Sequence, residues 1–421
     1  MKIKILMILA VFTTSFAIIA GCEKTPSGNH PGGDPSDNQS NDVIIFEDSS
    51  SLYKIVRPGE VNVAVIEFAK RFRVRLNKTG NCSIGLTSDS ADTTSCEILI
   101  GETNRKESEK LYDDIGGLGR DGYIVRASGK KLLIGGTDEY MIYCGLGYVL
   151  SQVKDSCGKL SLVFPKGFEH VSGDEVNTVT PEEVISSGKE FDMYPVEKVK
   201  TMAKMDSFTV LQGGGTDGKY AYEAFINKTT LKAVIIKIDI ATWETVKRSE
   251  PLNTGHTNDI TYNPKLGLLV VNNSNDSWCG VSFIDPETLT ETEYRVNTIS
   301  ARGISYIEET DKYVLGGVYD YYITDSNFNL QKQFTDGDPE YTTQGLFCDG
   351  TYIYDVRYYS DDGSDYVTVN NINGTYCGTA TIPEITGEAE SIFRIGNAFY
   401  VSYNKTNAIY KALLLPADWD F

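Results

Sequence analysis

The sequence predicts a multidomain chain, a small α/β layer domain followed by an all-β propeller, with five blades as the simplest count. Three observations point there. Strand-like and helix-like stretches alternate over residues 42–172. From Val196 onward, runs of Tyr, Val, Ile and Thr are cut by turn residues and show no helical periodicity. Within that second part a polar-to-apolar opening recurs about every 45 residues, a period that suits propeller blades and is too long for leucine-rich or ankyrin units.

In the first part, "DVIIFE" and "YKIVRP" read as short strands. Val61, Val65, Phe68 and Phe72 fall on one face of a helix in "EVNVAVIEFAKRFRVRL", and "CEILIGETNRKESEKLYDDI" reads as a buried strand, a glycine turn and a helix. A hairpin of 123–125 with 131–134 and a helix in "DEYMIYCGLGYVLSQVKD" complete the layer. Residues 173–195 are polar and carry Pro181 and Pro195, so they read as a linker before a propeller over 196–421.

The recurring openings are "QGGGTDGKYAY" from Gln212, "GHTNDITYNPKLGLLVV" from Gly255, "ARGISYIEETDKYVLGG" from Ala301, "TQGLFCDGTYIYDV" from Thr343 and "EAESIFRIGNAFYVSY" from Glu388. Most are followed by a further strand with its own turn, as in "VIIKIDIATWETV" and "GVSFIDPETLTET". Roughly 220 residues divided by that period give five blades. The last copy has only three strands, so "EKVKTMA", residues 197–203, is expected to return as its fourth and leave no open edge.

In such a ring the first strand of each blade lines the centre and begins at one mouth. Gln212, His256, Asn258, Asp259, Arg302, Gln344, Glu388 and Glu390 are therefore expected on one rim, with Tyr262, Tyr306 and Tyr341 nearby. Taken singly, such polar groups most often only satisfy loops and channel waters. Taken together on a concave surface, they form the expected ligand-binding set. If the chain is catalytic, Asp259 with Glu388 or Glu390 is the expected acid and base pair, Arg302 holding Asp259 ionised while the partner's pKa is raised. The 26 tyrosines suit sugar stacking and strands alike.

Composition narrows the partners. A formal net charge of −19 argues against nucleic acid, whose binding requires clustered Lys and Arg. With three histidines and no CxxC spacing, neither a metal site nor a cofactor is expected. "SDDGSD" from Ser360 and "TDGDPE" from Thr335 read as hairpin turns, since neither has the spacing of a calcium loop. Among the cysteines, Cys82, Cys96, Cys144 and Cys157 allow up to two bridges, with Cys82 and Cys96 the nearest pair.

The first residues, "MKIKILMILAVFTTSFAIIAGC", carry Lys2 and Lys4 and then an apolar run too short to span a bilayer, which reads as an export signal over 1–21. Its end, Ile19-Ala20-Gly21-Cys22, resembles the lipobox of bacterial lipoproteins. That resemblance implies lipidation of Cys22, attachment to the membrane through that lipid, and a position on the cell surface facing outward. Residues 22–41, rich in Gly, Pro, Ser, Asn and Asp, then form a flexible tether. "EILIGETNRKES", "DGYIVRASGKKLLIGG" and "MIYCGLGYVLSQV" resemble the accessory α/β domain that precedes the catalytic barrel in α-glucuronidases and β-hexosaminidases. No barrel pattern follows here, so the resemblance implies a glycan context without that catalysis. "QGGGTDGKYAY", "GHTNDITYNPK", "TQGLFCDGTYIY" and "EAES", in this order, resemble a group of secreted propeller proteins of Gram-positive gut and soil bacteria, which implies the fold.

These readings lead to a lipid-anchored surface protein that binds a glycan or other extracellular ligand at the polar mouth of its propeller, without turnover. The alternatives are a glycoside hydrolase or related glycan-active enzyme using propeller carboxylates, and a protein-interaction scaffold at the cell surface.

Overall fold

The structure is a computed structural model that describes residues 42–421, apart from 60–62, 174–178, 204, 206, 276–277, 336–341, 360–363, 384, 386 and 418–421. The expected export signal, Cys22 and the tether lie outside the described residues, as do Tyr341 and most of the two acidic turns. Among the described residues no helix is long and apolar enough to cross a membrane.

The alternating stretches at the start fold into β1 (Val43–Phe46), β2 (Lys54–Arg57), α1 (Val63–Gly80), β3 (Gly85–Ser88), β4 (Glu97–Ile100) and α2 (Lys106–Gly116), in that order. β5 (Tyr123–Ser128), β6 (Lys131–Gly136), α3 (Glu139–Ser151), β7 (Lys154–Ser156), β8 (Lys159–Phe164) and β9 (Glu169–Val171) follow. Six of these strands form one mixed sheet in the order β3-β2-β4-β6-β5-β9, and β1-β8-β7 form a second. The "EILI" run of β4 is apolar throughout because the sheet is covered on both faces. Ile55, Ile98 and Ile134 meet Phe68, Phe72 and Leu146 of α1 and α3, while Val56, Leu99 and Leu133 turn to Leu111 and Ile115 of α2.

From Thr180 onward the segment expected as a linker is structured. Thr180 and Glu183 make a reciprocal capping box at the start of α4 (Pro181–Ser186), and β10 (Phe191–Thr201) begins before the predicted boundary. Tyr194 and Val196 of β10 join the apolar core under α1, and the Tyr143 hydroxyl donates 2.9 Å to the carbonyl of Pro416. The first layer therefore shares its core with the sheet that β10 belongs to.

The rest of the chain is mostly β, in five antiparallel four-stranded sheets consistent with a propeller-like fold. The first holds β11 (Val210–Thr216), β12 (Tyr220–Asn227), β13 (Lys232–Asp239) and β14 (Thr245–Arg248). β15 (Asp259–Asn263), β16 (Leu268–Asn275), β17 (Trp278–Ile284) and β18 (Glu291–Val296) make the second. The third is β19 (Gly303–Ile307), β20 (Lys312–Gly316), β21 (Asp320–Asp325) and β22 (Leu330–Thr335). In the fourth are β23 (Thr342–Cys348), β24 (Tyr352–Tyr359), β25 (Ser364–Asn371) and β26 (Tyr376–Ile382). The last sheet combines β27 (Ala389–Ile395), β28 (Ala398–Tyr403) and β29 (Ala408–Pro416) with β10, which pairs antiparallel along β29 from Phe191 to Thr201. The expected return of 197–203 as a fourth strand is thus part of a longer pairing.

The turn between third and fourth strands repeats one device. Asp239, Asp285, Asp325 and Asn371 each accept, through Oδ1, the backbone N–H two residues on, at 2.9–3.0 Å. A left-handed residue follows in each turn: Trp243, Leu289, Phe328 or Gly374. This is the physical content of the repeated "ID…T" and "TD…N" signatures.

First strands of neighbouring sheets touch in a closed cycle, β11 to β15 to β19 to β23 to β27 and back to β11. Glycines permit that approach. A Cβ on Gly213 would lie 2.7 Å from the backbone N of Asp259, one on Gly215 only 2.2 Å from the carbonyl oxygen of Ile260, and one on Gly345 2.8 Å from Cα of Ser391. "QGGG" is accordingly a packing motif of the ring.

The seven described cysteines are all free thiols, so the expected bridge between Cys82 and Cys96 does not form. Cys82 follows α1 and Cys96 precedes β4, and each packs separately at the edge of the first core. Closeness in sequence does not by itself supply the geometry a bridge needs.

Gly215→Ala should destabilise the fold by about 2 kcal/mol or more, because backbone on a neighbouring strand must move. Gly116→Ala, which meets nothing within 4 Å, is the matched control. Thermal unfolding of the two variants checks this: equal midpoints would mean that the inner strands are not in close contact.

Candidate functional site

Each inner strand starts at the same end of the ring, and the residues at those starts surround one depression of about 490 Å³. Gln212 comes from β11, His256 and Asn258 from the residues before β15, Arg302 from just before β19, Gln344 from β23, and Glu388 and Glu390 from the start of β27. Seven of the eight residues expected on a common rim are thus brought together. Val210, at the start of β11, with Lys228, Ser300, Val318 and Asn404 complete the lining and were not anticipated. Lys228 and Asn404 directly follow β12 and β28, and Val318 lies between β20 and β21. In an antiparallel sheet the second strand ends where the first begins, so the second-to-third connections had to lie at this end too.

Asp259 is the exception and requires correction. It is fully buried, and Oδ2 accepts N–H bonds from Ile304 at 2.9 Å and Leu346 at 3.0 Å, while Oδ1 accepts that of Ile260 at 3.0 Å. One carboxylate thus joins β15, β19 and β23. Burial raises its pKa well above the usual carboxylate range, against the opposing pull of the three amides. It does not line the depression, and no contact with Arg302 holds it ionised. Hydroxyls continue the stitching further along the ring: Thr261 Oγ1 accepts the N–H of Tyr306 at 3.0 Å, and Ser305 Oγ that of Cys348 at 2.9 Å. Tyr306 ends up at the far end of its strand, in a separate 330 Å³ recess with Phe347 and Arg394, and Tyr262 lies near the equivalent end of β15. Both were expected near the rim, and neither lines the depression.

Within the depression, the Asn258 amide lies 3.0 Å from His256 Nδ1. Burial, followed by the charges of Lys228 and Arg302, lowers the histidine pKa, so the ring is neutral at pH 7. With Nδ1 accepting from Asn258, the tautomer is assigned with its proton on Nε2. Glu388 has its oxygens held by Gln344 Nε2 at 2.6 Å and Asn404 Nδ2 at 3.2 Å. The same Asn404 nitrogen donates 2.5 Å to Glu390 Oε1. Burial, then the neighbouring Glu388, raises the Glu390 pKa well above its usual value. The site therefore offers amide donors and acceptors, a neutral imidazole N–H, two cations and one amide-held carboxylate. Among the described residues no group of three or more His, Cys, Asp or Glu could hold a metal ion.

A further buried carboxyl bears on pH. Glu223 on β12 is fully buried, and Ser402 Oγ donates 2.5 Å to Oε1. Burial lifts its pKa to about 8. Against an unfolded value near ~4.3, the native state holds a proton that the unfolded chain loses, so stability falls as pH rises between these values and levels off above 8. Glu223→Gln should remove this loss, gaining on the parent chain as pH goes from about 5 to about 8, with a limiting slope of roughly 1.4 kcal/mol per pH unit. Midpoints measured across that range test it: parallel curves would mean that Glu223 is ionised in the folded protein.

No family model matches the chain, and no curated protein does. Solved structures that it is similar to include the glutaminyl cyclase of Myxococcus xanthus, at 12% identity and a TM-score of 0.40 over 54% of this chain and 97% of that one. Hydrazine synthase of Kuenenia stuttgartiensis matches at 13% identity and 0.32, over 48% of this chain and 58% of that one. A chain of a nidogen/laminin complex matches at 16% identity and 0.34, over 48% of this chain and 76% of that one. At these scores the likenesses carry no weight, and the propeller-like fold is defined by the repeated four-stranded antiparallel sheets of this chain.

Proposed function

We infer that the five sheets are the blades of a five-bladed propeller, that residues 42–172 are an accessory α/β domain, and that the protein is a lipid-anchored surface protein whose propeller mouth binds a glycan. The observation that carries the binding reading is the convergence of polar side chains from all five inner strands on one 490 Å³ depression, mixed in type although β11 and β23 both contribute a glutamine. Uniform small residues would have closed the ring equally well. Carboxamides, an imidazole N–H and a carboxylate, spaced around a concave wall, suit the hydroxyls of a saccharide, each of which donates and accepts.

Hydrolysis is the second reading, favoured by Glu390, whose pKa is raised, beside Glu388. Two points set it second. Asp259 faces the ring interior, and Glu388 and Glu390 share one amide nitrogen, so they stand side by side instead of flanking a bond.

Incubated with a panel of oligosaccharides, the full chain should retain at least one of them and release no new reducing ends. His256→Ala should weaken that retention about tenfold, the value of one or two lost hydrogen bonds, with its unfolding midpoint unchanged. New reducing ends would establish the hydrolase reading, and no retention of any glycan would remove the binding one.

A further inference from the structure

Acidic residues outnumber basic ones in this chain by 58 to 39, and its buried or half-buried arginines commonly find a carboxylate. Arg71 pairs with Asp192, Arg105 with Glu97, Arg126 with Asp114 and Glu169, Arg357 with Asp355, and Arg394 with Glu182. Arg302 differs. It is half-buried in the wall of the depression, and among the described residues its guanidinium has no ion-pair or hydrogen-bond partner. The same holds for the ammonium of Lys228, an exposed residue of the same lining.

The carboxylates that share the depression are already engaged. Gln344 and Asn404 hold Glu388, and Glu390 is 3% exposed under the same Asn404 amide. His256 supplies no negative charge. The depression thus keeps two cations unmatched in a strongly acidic protein, and desolvating a guanidinium without a partner is costly. A planar fork left open in a half-buried wall fits a carboxylate with two parallel N–H···O bonds.

Building on the glycan-binding reading above, we propose that the ligand is an acidic saccharide whose carboxylate is gripped by Arg302, with Lys228 as the second positive charge, while Gln212, Asn258 and the His256 imidazole hydrogen-bond the ring hydroxyls. The carboxamides favour a sugar over an acidic peptide, because they offer donors and acceptors side by side around the single charge.

The test titrates the full chain with three probes: a trisaccharide ending in a hexuronic acid, the same sugar with that carboxyl reduced to the alcohol, and a short acidic peptide. The acidic sugar should bind at least about tenfold more tightly than the reduced one, a preference weakened by salt. Arg302→Gln should erase the preference, lowering affinity for the acidic sugar about 10- to 100-fold and leaving that for the reduced sugar in place. Lys228→Met, at an exposed position where folding is not at stake, should lower the preference by a smaller factor. Equal binding of acidic and reduced sugars would overturn the acidic ligand while sugar binding stood. Binding of the peptide alone would overturn the saccharide, and binding of no probe would overturn the glycan reading together with this inference.

Discussion

The Asp259 carboxylate is the constraint around which the β region is arranged. It accepts the amides of Ile260, Ile304 and Leu346, which belong to three different inner strands. Left alone, a buried carboxylate is expensive, and so is a buried N–H without an acceptor. Joined, they fix the heights of β15, β19 and β23 relative to one another. The residues that precede these bonds in each strand, His256 and Asn258 in one, Arg302 in the next and Gln344 in the third, are thereby presented at one level. Thr261 and Ser305 repeat the device one step further down the ring.

Framework and site divide the labour within the same strands. Gly213, Gly215 and Gly345 remove side chains where strands must nearly touch, and the Asp and Asn turns fix the outer hairpins. Side chains that vary from sheet to sheet collect at the mouth. There the electrostatics are uneven: His256 is kept neutral by burial and two cations, Glu390 is pushed toward its neutral form by burial and Glu388, and amides hold Glu388. This unevenness is what the proposed binding of a specific polar ligand rests on.

Much of this was legible in the sequence, for reasons that can be named. Period-2 strands recur at even spacing because each sheet is one turn of a repeating structure, so the openings at Gln212, Gly255, Ala301, Thr343 and Glu388 locate the inner strands. Asp259 could not be told apart from Asn258, since strand alternation sends one inward and the other to the mouth, and a one-residue ambiguity reverses the two. Tyr262 and Tyr306 were expected near the rim, although a five-residue strand carries them toward its opposite end. Lys228 and Asn404 are reached only through the antiparallel path of the chain. Residues 181–196 carry too many polar groups to betray a helix and the first half of β10, and it is contacts with α1 and β29 that order them.

Amide hydrogen exchange in Asp259→Asn compared with the parent chain tests directly whether this side chain holds the inner strands in register. A carboxamide has one oxygen to offer where the carboxyl group had two, so at least one of the amides of Ile260, Ile304 and Leu346 should lose its acceptor and exchange about tenfold faster or more. Unchanged protection at all three would contradict the account, because Asp259 would then not be what holds the inner strands at a common level.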